Sequence, residues 1–344
     1  MGDRARTLFF DSPGEVSLRE RSIPEPGPEE VLVETRVSAI SAGTELLVYR
    51  GDVPEELSVG PTLAAFEDGA EEFSYPLAYG YAAVGTVTDR GDDVDEAWEG
   101  RTVFAFNPHE SHFLASPDAL VPVPASLSAE AATLLPTAET ATSLVLDAAP
   151  RVGERAVVHG AGVVGLFTTT LLAEFPLAEL AVVDPLADRR AVAERLGADT
   201  TLHPDEVGEL GDRRAADENE GMDLAVEISG EPAALDDAID AVGYDGRVVV
   251  GSWYGTKRTD LNLGGRFHRS RIDLQSSQVS TIAPELRGRW TSDRRLDRAL
   301  DVLEGVPVEE VVTHRVPFAD APTAYELLAD QSDGSPLQVL LTYD

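Results

Sequence analysis

Hydrophobic and polar positions change rhythm twice along the chain. Over the first 125 residues or so, short β-branched runs (EVLVETRVSAI, AAVGTVTDR, RTVFAFN) are separated by proline- and glycine-rich turns. This pattern predicts a β-rich, barrel-like region. After Pro124 the segment SLSAEAATLLPTAETATSLVLDAA reads as helix, with Ser126 or Ser128 as N-cap and Glu130 in its first turn. Strand and helix then alternate: ERAVVHG, VVGLFTTTLLAEF, LAVVD, ADRRAVAERLG, MDLAVEIS, PAALDDAIDAVG, GRVVVGS. Such alternation predicts a doubly wound parallel sheet.

From about Ser280 the texture is mixed again. Two helical runs, RRLDRALDVLEG and DAPTAYELLAD, flank the strand-like EEVVTHRV, and PLQVLLTYD reads as a last strand. That strand is expected to pair with the N-terminal β region, so that the α/β region is an insertion between two parts of one domain. The expected boundaries are 1–125, 126–280 and 281–344.

Charge adds the next constraint. The 344 residues hold 62 Asp and Glu against 27 Lys and Arg, a net charge of −35, and Lys257 is the one lysine. The acids are dispersed (EPGPEE, EDGAEEF, DRGDDVDEAWEG, DENEG) rather than gathered in a tail. Repulsion of this size is screened in molar salt, where the Debye length falls to ~3 Å. A halophilic protein of a salt-loaded cytoplasm, as in haloarchaea, is therefore expected. No basic stripe exists to neutralise phosphates, so no nucleic-acid partner is expected. There is no cysteine, which excludes disulfides, thiolate catalysis and cysteine-ligated zinc. No apolar run reaches the ~18 residues of a membrane span, and the start lacks a signal-peptide core.

The most specific motif is Gly160-Ala161-Gly162-Val163-Val164-Gly165, a G-x-G-x-x-G that follows a strand and opens a helix. Asp184 ends the next strand, 19 residues beyond Gly165. This is the dinucleotide fingerprint in full context. Gly160 permits the tight turn, Gly162 a close approach of pyrophosphate, and Gly165 close helix–strand packing. The helix start at Val163 and Val164 receives the phosphates. Asp184 is expected to accept the ribose hydroxyls and repel a 2′-phosphate, favouring NAD over NADP. Arg189 and Arg190 lie close by. Ser229 and Gly230, and then Gly251, Ser252 and Trp253, end later strands, where ligands of open α/β sheets lie.

The layout resembles the medium-chain dehydrogenase/reductase superfamily over nearly the whole chain. Tyr75–Val87 (YPLAYGYAAVGTV), Val103–Pro124 (VFAFNPHESHFLASPDALVPVP) and Phe267–Pro284 (FHRSRIDLQSSQVSTIAP) resemble its branch related to bacteriochlorophyllide a dehydrogenase (the 2-desacetyl-2-hydroxyethyl form). The resemblance implies a GroES-like catalytic domain joined to a Rossmann nucleotide domain, and a homodimer. In that comparison Ser276, Ser277 and Gln278 lie on an edge strand near which such dimers pair their sheets. FHRSR (Phe267, His268, Arg269) faces the cofactor or the subunit interface.

Zinc members of the superfamily take ligands from C-G-T/S-D/E, from G-H-E and from a residue before the nucleotide domain. At the matching places stand Ala42-Gly43-Thr44-Glu45, Gly80-Tyr81-Ala82 and Leu135. No zinc is expected, although Glu45, His109, His112 and Glu139 remain as possible donors. Hydride transfer between nicotinamide and a carbonyl or alcohol carbon, in the cleft between the domains, would then rely on hydrogen-bond donors. The candidate catalytic residues are Tyr81, Thr44, His109 as acceptor of the alcohol proton, and Glu45 as a general acid or one end of an ion pair. Reduction of an activated C=C bond, and a non-catalytic nucleotide-binding role, are the alternatives. The insert Asp52–Ser74 is a lid or a surface arm in this reading.

Overall fold

The computed structural model describes residues 4–54, 74–208, 210, 221–330 and 336–343. The insert named above lies almost entirely outside these residues. The chain divides into two compact units, one made of Met1–Pro136 with Leu303–Asp344 and the other of Thr137–Val302.

The first unit begins with β1 (Arg4–Ser12), β2 (Glu15–Ser22) and β3 (Val31–Ile40). After the helix Ala42–Arg50 come β4 (Leu77–Ala78), β5 (Ala83–Arg90), β6 (Thr102–Ala105), β7 (His112–Ala115) and β8 (Leu120–Pro122). β1 pairs antiparallel with β2 and with β4. Val31, Val33, Ala83, Val87, Val103 and Phe113 form a buried cluster between the β-branched runs. AGTELLVYR, whose first four residues match the first zinc-ligand motif, forms a helix. Gly51 closes it at φ 74°, and its amide donates to Val48 O. A left-handed glycine is the common way to stop a helix.

The second unit holds β9 (Arg155–His159), β10 (Glu179–Val183), β11 (Thr200–Leu202), β12 (Met222–Glu227), β13 (Val242–Val250) and β14 (Asp273–Ser276). These pair in parallel in the order β11-β10-β9-β12-β13-β14. Val157, Ala181, Ala225 and Val248 are fully buried, as expected of parallel strands covered on both faces. The mixed α/β class read from the sequence is therefore present.

The chain then returns to the first unit as β15 (Val312–Pro317) and β16 (Gln338–Thr342). β16 pairs antiparallel with β3, completing a seven-stranded sheet in the order β15-β16-β3-β5-β6-β8, with β7 also on β3. The two units divide at residues 136/137 and 302/303. Ser128 Oγ accepts the Ala131 amide at 3.1 Å and caps the short helix Ala129–Ala132. Glu130 in that helix holds Arg315 of β15 through two 2.7 Å contacts, keeping residues 126–136 with the first unit. Arg295 holds Glu139 at 2.9 Å, with both side chains nearly buried, keeping residues 281–302 with the second. The helix expected from Ser126 is thus two helices, the second spanning Leu135–Ala148. Among the described residues no helix is long and apolar enough to cross a membrane.

Candidate active site

In the second unit the turn after β9 has the geometry the glycines anticipate. Gly160 has φ 104°, and a Cβ there would lie 2.6 Å from Ser229 Cα. At Gly165 a Cβ would lie 1.9 Å from Gly160 O, so only glycine lets the helix Val163–Ala173 sit this close. A Cβ on Gly162 would meet nothing within 4 Å. Protein packing does not demand that glycine, whereas an approaching ligand would. Gly162 is also the N-cap and no side chain caps the helix, so its first-turn amides lack a side-chain acceptor. Free amides at a helix start suit a pyrophosphate. The residues present fit a dinucleotide.

Asp184 is buried, at 4% exposure. Its Oδ2 accepts the Ala161 amide at 2.8 Å and its Oδ1 the Leu186 amide at 2.9 Å. A carboxylate has about four acceptor sites, so capacity for ribose hydroxyls remains, but the side chain first fixes the glycine turn. Arg189 is half-buried, and burial lowers its guanidinium pKa while Asp184 acts to raise it. Arg190 donates to the carbonyls of Asp184 and Pro185.

The other strand ends gather beside the turn. Ser229 donates its hydroxyl and its amide to the fully buried Glu227, and Tyr254 donates to the other carboxylate oxygen. Gly230 N–H donates to Ser252 Oγ at 2.9 Å, and Gly251 N–H to Glu227 O at 2.9 Å. Glu227 escaped the sequence reading, although an acid closing an otherwise apolar strand (DLAVE) was the available signal. Lys257 donates to Gly230 O at 2.8 Å. Of the expected edge residues, Ser276 ends β14. Ser277 instead bonds Asp147 and Gln278 bonds Ser280.

In the first unit Tyr81 is half-buried, and its phenol donates to Ser41 Oγ and also hydrogen-bonds the Thr44 side chain. Two of the candidate residues therefore meet through their hydroxyls. Ser41, one residue before the helix Ala42–Arg50, is the partner the sequence reading missed. A hydroxyl at a helix N-cap was the signal. Burial pushes the Tyr81 pKa up to about 12, with the Ser41 and Thr44 hydrogen bonds pulling the other way and Glu45 adding to the rise. Tyr79 packs edge-on at 6.3 Å between ring centroids. Its buried hydroxyl has no hydrogen-bond partner among the described residues, and burial, Tyr81 and Glu45 all raise its pKa.

Behind this pair lies a closed network. Glu45 and His109 are both 0% exposed. Glu45 Oε2 takes His109 Nε2 at 3.0 Å and the Tyr325 hydroxyl at 2.6 Å, and Oε1 takes the Ser41 amide at 2.8 Å. His109 Nδ1 lies 2.7 Å from Ser38 Oγ, which lies 2.9 Å from the Tyr343 hydroxyl. One assignment satisfies every group. Tyr343 donates to Ser38, Ser38 to Nδ1 of a neutral His109, and Nε2–H to an ionised Glu45.

His109 has both ring nitrogens engaged inside the protein, which is at odds with its accepting a substrate proton. Of the two readings of Glu45, a general acid or one end of a pair, the buried contact with His109 fits the second.

The remaining metal donors are also engaged. Glu139 accepts from Arg295 at 2.9 and 3.1 Å, and His112 Nδ1 lies 3.1 Å from Ser111 Oγ. Ala42 is half-buried and Leu135 fully buried. No group of three or more His, Asp or Glu among the described residues is placed to hold a metal ion. The donors present do not fit a catalytic zinc, which needs three protein ligands.

Comparison with known proteins places these features. A family model described as zinc-binding dehydrogenase matches residues 163–292. The chain is similar to the zinc-binding dehydrogenases. A D-guloside 3-dehydrogenase of Escherichia coli K12 is 26% identical over 329 residues, covering 91% of this chain and 93% of the relative. A crystal structure of an Escherichia coli oxidoreductase/dehydrogenase of unknown specificity, involved in membrane biogenesis, superposes with a TM-score of 0.78 at 18% identity. It covers 99% of this chain and 100% of that one. Another, an Escherichia coli CFT073 alcohol dehydrogenase (rspB) complexed with NADH, gives 0.77 at 19% identity and the same coverage. The structural likenesses carry the fold, a β-rich domain with a Rossmann-like parallel-sheet domain. The family match and the curated relative make the chain similar to dehydrogenases.

Proposed function

We propose that the protein is an NAD(H)-linked oxidoreductase that acts without zinc on a carbonyl or alcohol carbon, with Tyr81 as the proton donor to the substrate oxygen. The observation that carries this reading is the half-buried Tyr81 phenol. It stands at the place of a zinc-ligand histidine in the metal-dependent members and bonds the hydroxyls of Ser41 and Thr44.

Bound at the Gly160–Gly165 turn, the nicotinamide supplies the hydride. The residues of this chain manage the oxygen. With a pKa of about 12, Tyr81 is a phenol at neutral pH and donates a hydrogen bond to a carbonyl oxygen. As the carbon gains hydride, the oxygen takes the Tyr81 proton. Ser41 or Thr44 returns a proton to the phenolate, and solvent replenishes the hydroxyl. The balance is one hydride and one proton added across C=O. The similarity to a D-guloside 3-dehydrogenase supports a secondary alcohol and its ketone as the reacting pair.

The test is NADH oxidation with a panel of ketones and aldehydes in molar KCl, comparing wild type with Tyr81→Phe. Loss of a positioned general acid should cost about 10²–10⁴-fold in kcat. Equal turnover by the two proteins would refute the role of Tyr81. Binding of NADH with no turnover on any carbonyl would favour a nucleotide-binding protein.

A further inference from the structure

We propose that Glu45, clamped by His109 and Tyr325, is a positioning residue for Tyr81: it seats Ser41 beside the phenol and holds the phenol in its proton-donating form. This inference rests on the role given to Tyr81 above. It begins from an oddity, a fully buried carboxylate with no part in the proton transfer itself. Glu45 contacts Ser41 through the backbone amide, whereas Tyr81 contacts Ser41 through Oγ. No proton path runs from Glu45 to the substrate. What passes between them is geometry and charge.

The geometry is fixed from several directions. The Tyr325 ring packs against Phe10 and Tyr49, with centroids at 5.2 and 5.6 Å, so its hydroxyl arrives at Glu45 on a rigid arm. His109 is held by Ser38, and Ser38 by Tyr343, whose ring stacks on Phe318 at 4.2 Å. The His109 ring also fills the space above Gly80. That glycine has φ 125°, and a Cβ on it would lie 2.7 Å from His109 Cδ2. Gly80 is the residue before Tyr81, so the imidazole supports the connection between β4 and β5 that carries the phenol while it holds Glu45. The two sides of the Ser41–Tyr81 hydrogen bond are thus set by one buried pair.

The charge acts in the same sense. The groups around Tyr81 are Tyr79, Ser41, Thr44 and Glu45, with His109 behind Glu45. In the assignment above His109 is neutral, so Glu45 is the one formal charge among them. A buried anion opposes formation of a second anion nearby. It therefore disfavours the phenolate, and Tyr79, Tyr81, Tyr325 and Tyr343 all have pKa values raised in part by Glu45.

The ionisation of Tyr81 can be read without any substrate. In protein labelled with ¹³Cζ-tyrosine, the Tyr81 resonance is assigned by its loss in Tyr81→Phe, and its ionised fraction is followed at pH ~10.5, just above the ordinary phenol value of about 10. Tyr81 should be almost wholly protonated in wild type and measurably more ionised in Glu45→Gln, with burial still holding both above the ordinary phenol value. An unchanged fraction in that variant would overturn the electrostatic part.

Tyr325→Phe keeps the ring and the Glu45 charge but removes one clamp. The seat then loosens, and kcat should fall about 10-fold or more, since small misplacements near the chemistry cost up to about 10²-fold. The Kd for NADH should stay unchanged. Wild-type kcat in Tyr325→Phe would overturn the positioning part, and this variant serves alone if Glu45→Gln does not fold. Should Tyr81→Phe turn over normally while the titration still responds to Glu45→Gln, the functional reading of Tyr81 fails and the Glu45–Tyr81 coupling stands.

Discussion

Glu45 Oε2 lies 3.0 Å from His109 Nε2, and neither side chain touches solvent. A buried ionised carboxylate is tolerable only when its oxygens are satisfied, and here an imidazole, a phenol and a backbone amide do this. The same carboxylate holds the Ser41 amide at the start of the helix, and Ser41 Oγ holds the Tyr81 phenol.

Gly80→Ala tests how tightly this arrangement is packed. The new methyl would lie 2.7 Å from the His109 ring, on a backbone whose φ of 125° suits only glycine. Strain and displacement together should cost about 2–4 kcal/mol, read as a lower midpoint in denaturant unfolding. Wild-type stability would mean that the ring is free to move.

The Asp184 carboxylate anchors Ala161 and Leu186, and on the proposed reading it also accepts the ribose hydroxyls. Asp184→Ala should therefore weaken NADH binding at least about 10-fold, the effect of roughly 1.4 kcal/mol. It should narrow any preference over NADPH, because the charge that repels a 2′-phosphate is gone. Nicotinamide fluorescence titration with both cofactors decides this. An unaltered NADH to NADPH ratio would remove Asp184 from the specificity argument.

Arg295 and Glu139 form a nearly buried pair. Arg295→Met strands the carboxylate and should cost about 3–5 kcal/mol at pH 7. Burial already raises the Glu139 pKa, against the pull of Arg295. Without Arg295 it rises further, and protonation then relieves the stranded charge. The loss of stability should accordingly shrink as pH falls through the raised value. Unfolding of the variant between pH 7 and pH 5 checks the sign, and a deficit that widens on acidification would contradict it.

Net charge makes a separate prediction. At −35 the chain should unfold, or lose its tertiary signal, at low ionic strength and gain stability steadily with KCl. Thermal unfolding over a KCl series tests this, and a flat response would argue against a halophilic protein.

Much of this was legible in the sequence, for identifiable reasons. The second unit could be read because parallel strands buried on both faces appear as apolar runs, and because Gly160 and Gly165 are required by close backbone contacts that no other residue allows. The return of β16 to β3 followed from one terminal apolar run. The first unit was harder. AGTELLVYR shows no helical alternation, because Thr44 to Tyr49 are all buried in its short helix. The roles of Glu45 and His109 were not legible at all. Sixty-four residues separate them, and Tyr325 lies 280 residues from Glu45. Only the fold reveals that this imidazole has no opening toward a substrate. Ser41 was missed because a serine beside a turn has many possible partners, and only the structure places Tyr81 among them.

The measurement that bears most directly on the central claim is NADH-dependent carbonyl reduction by protein treated exhaustively with a chelator, its metal content determined in the same sample. The account predicts that turnover persists with zinc far below one equivalent, and that it collapses in Tyr81→Phe. Turnover that vanishes on chelation and returns with stoichiometric zinc would contradict it.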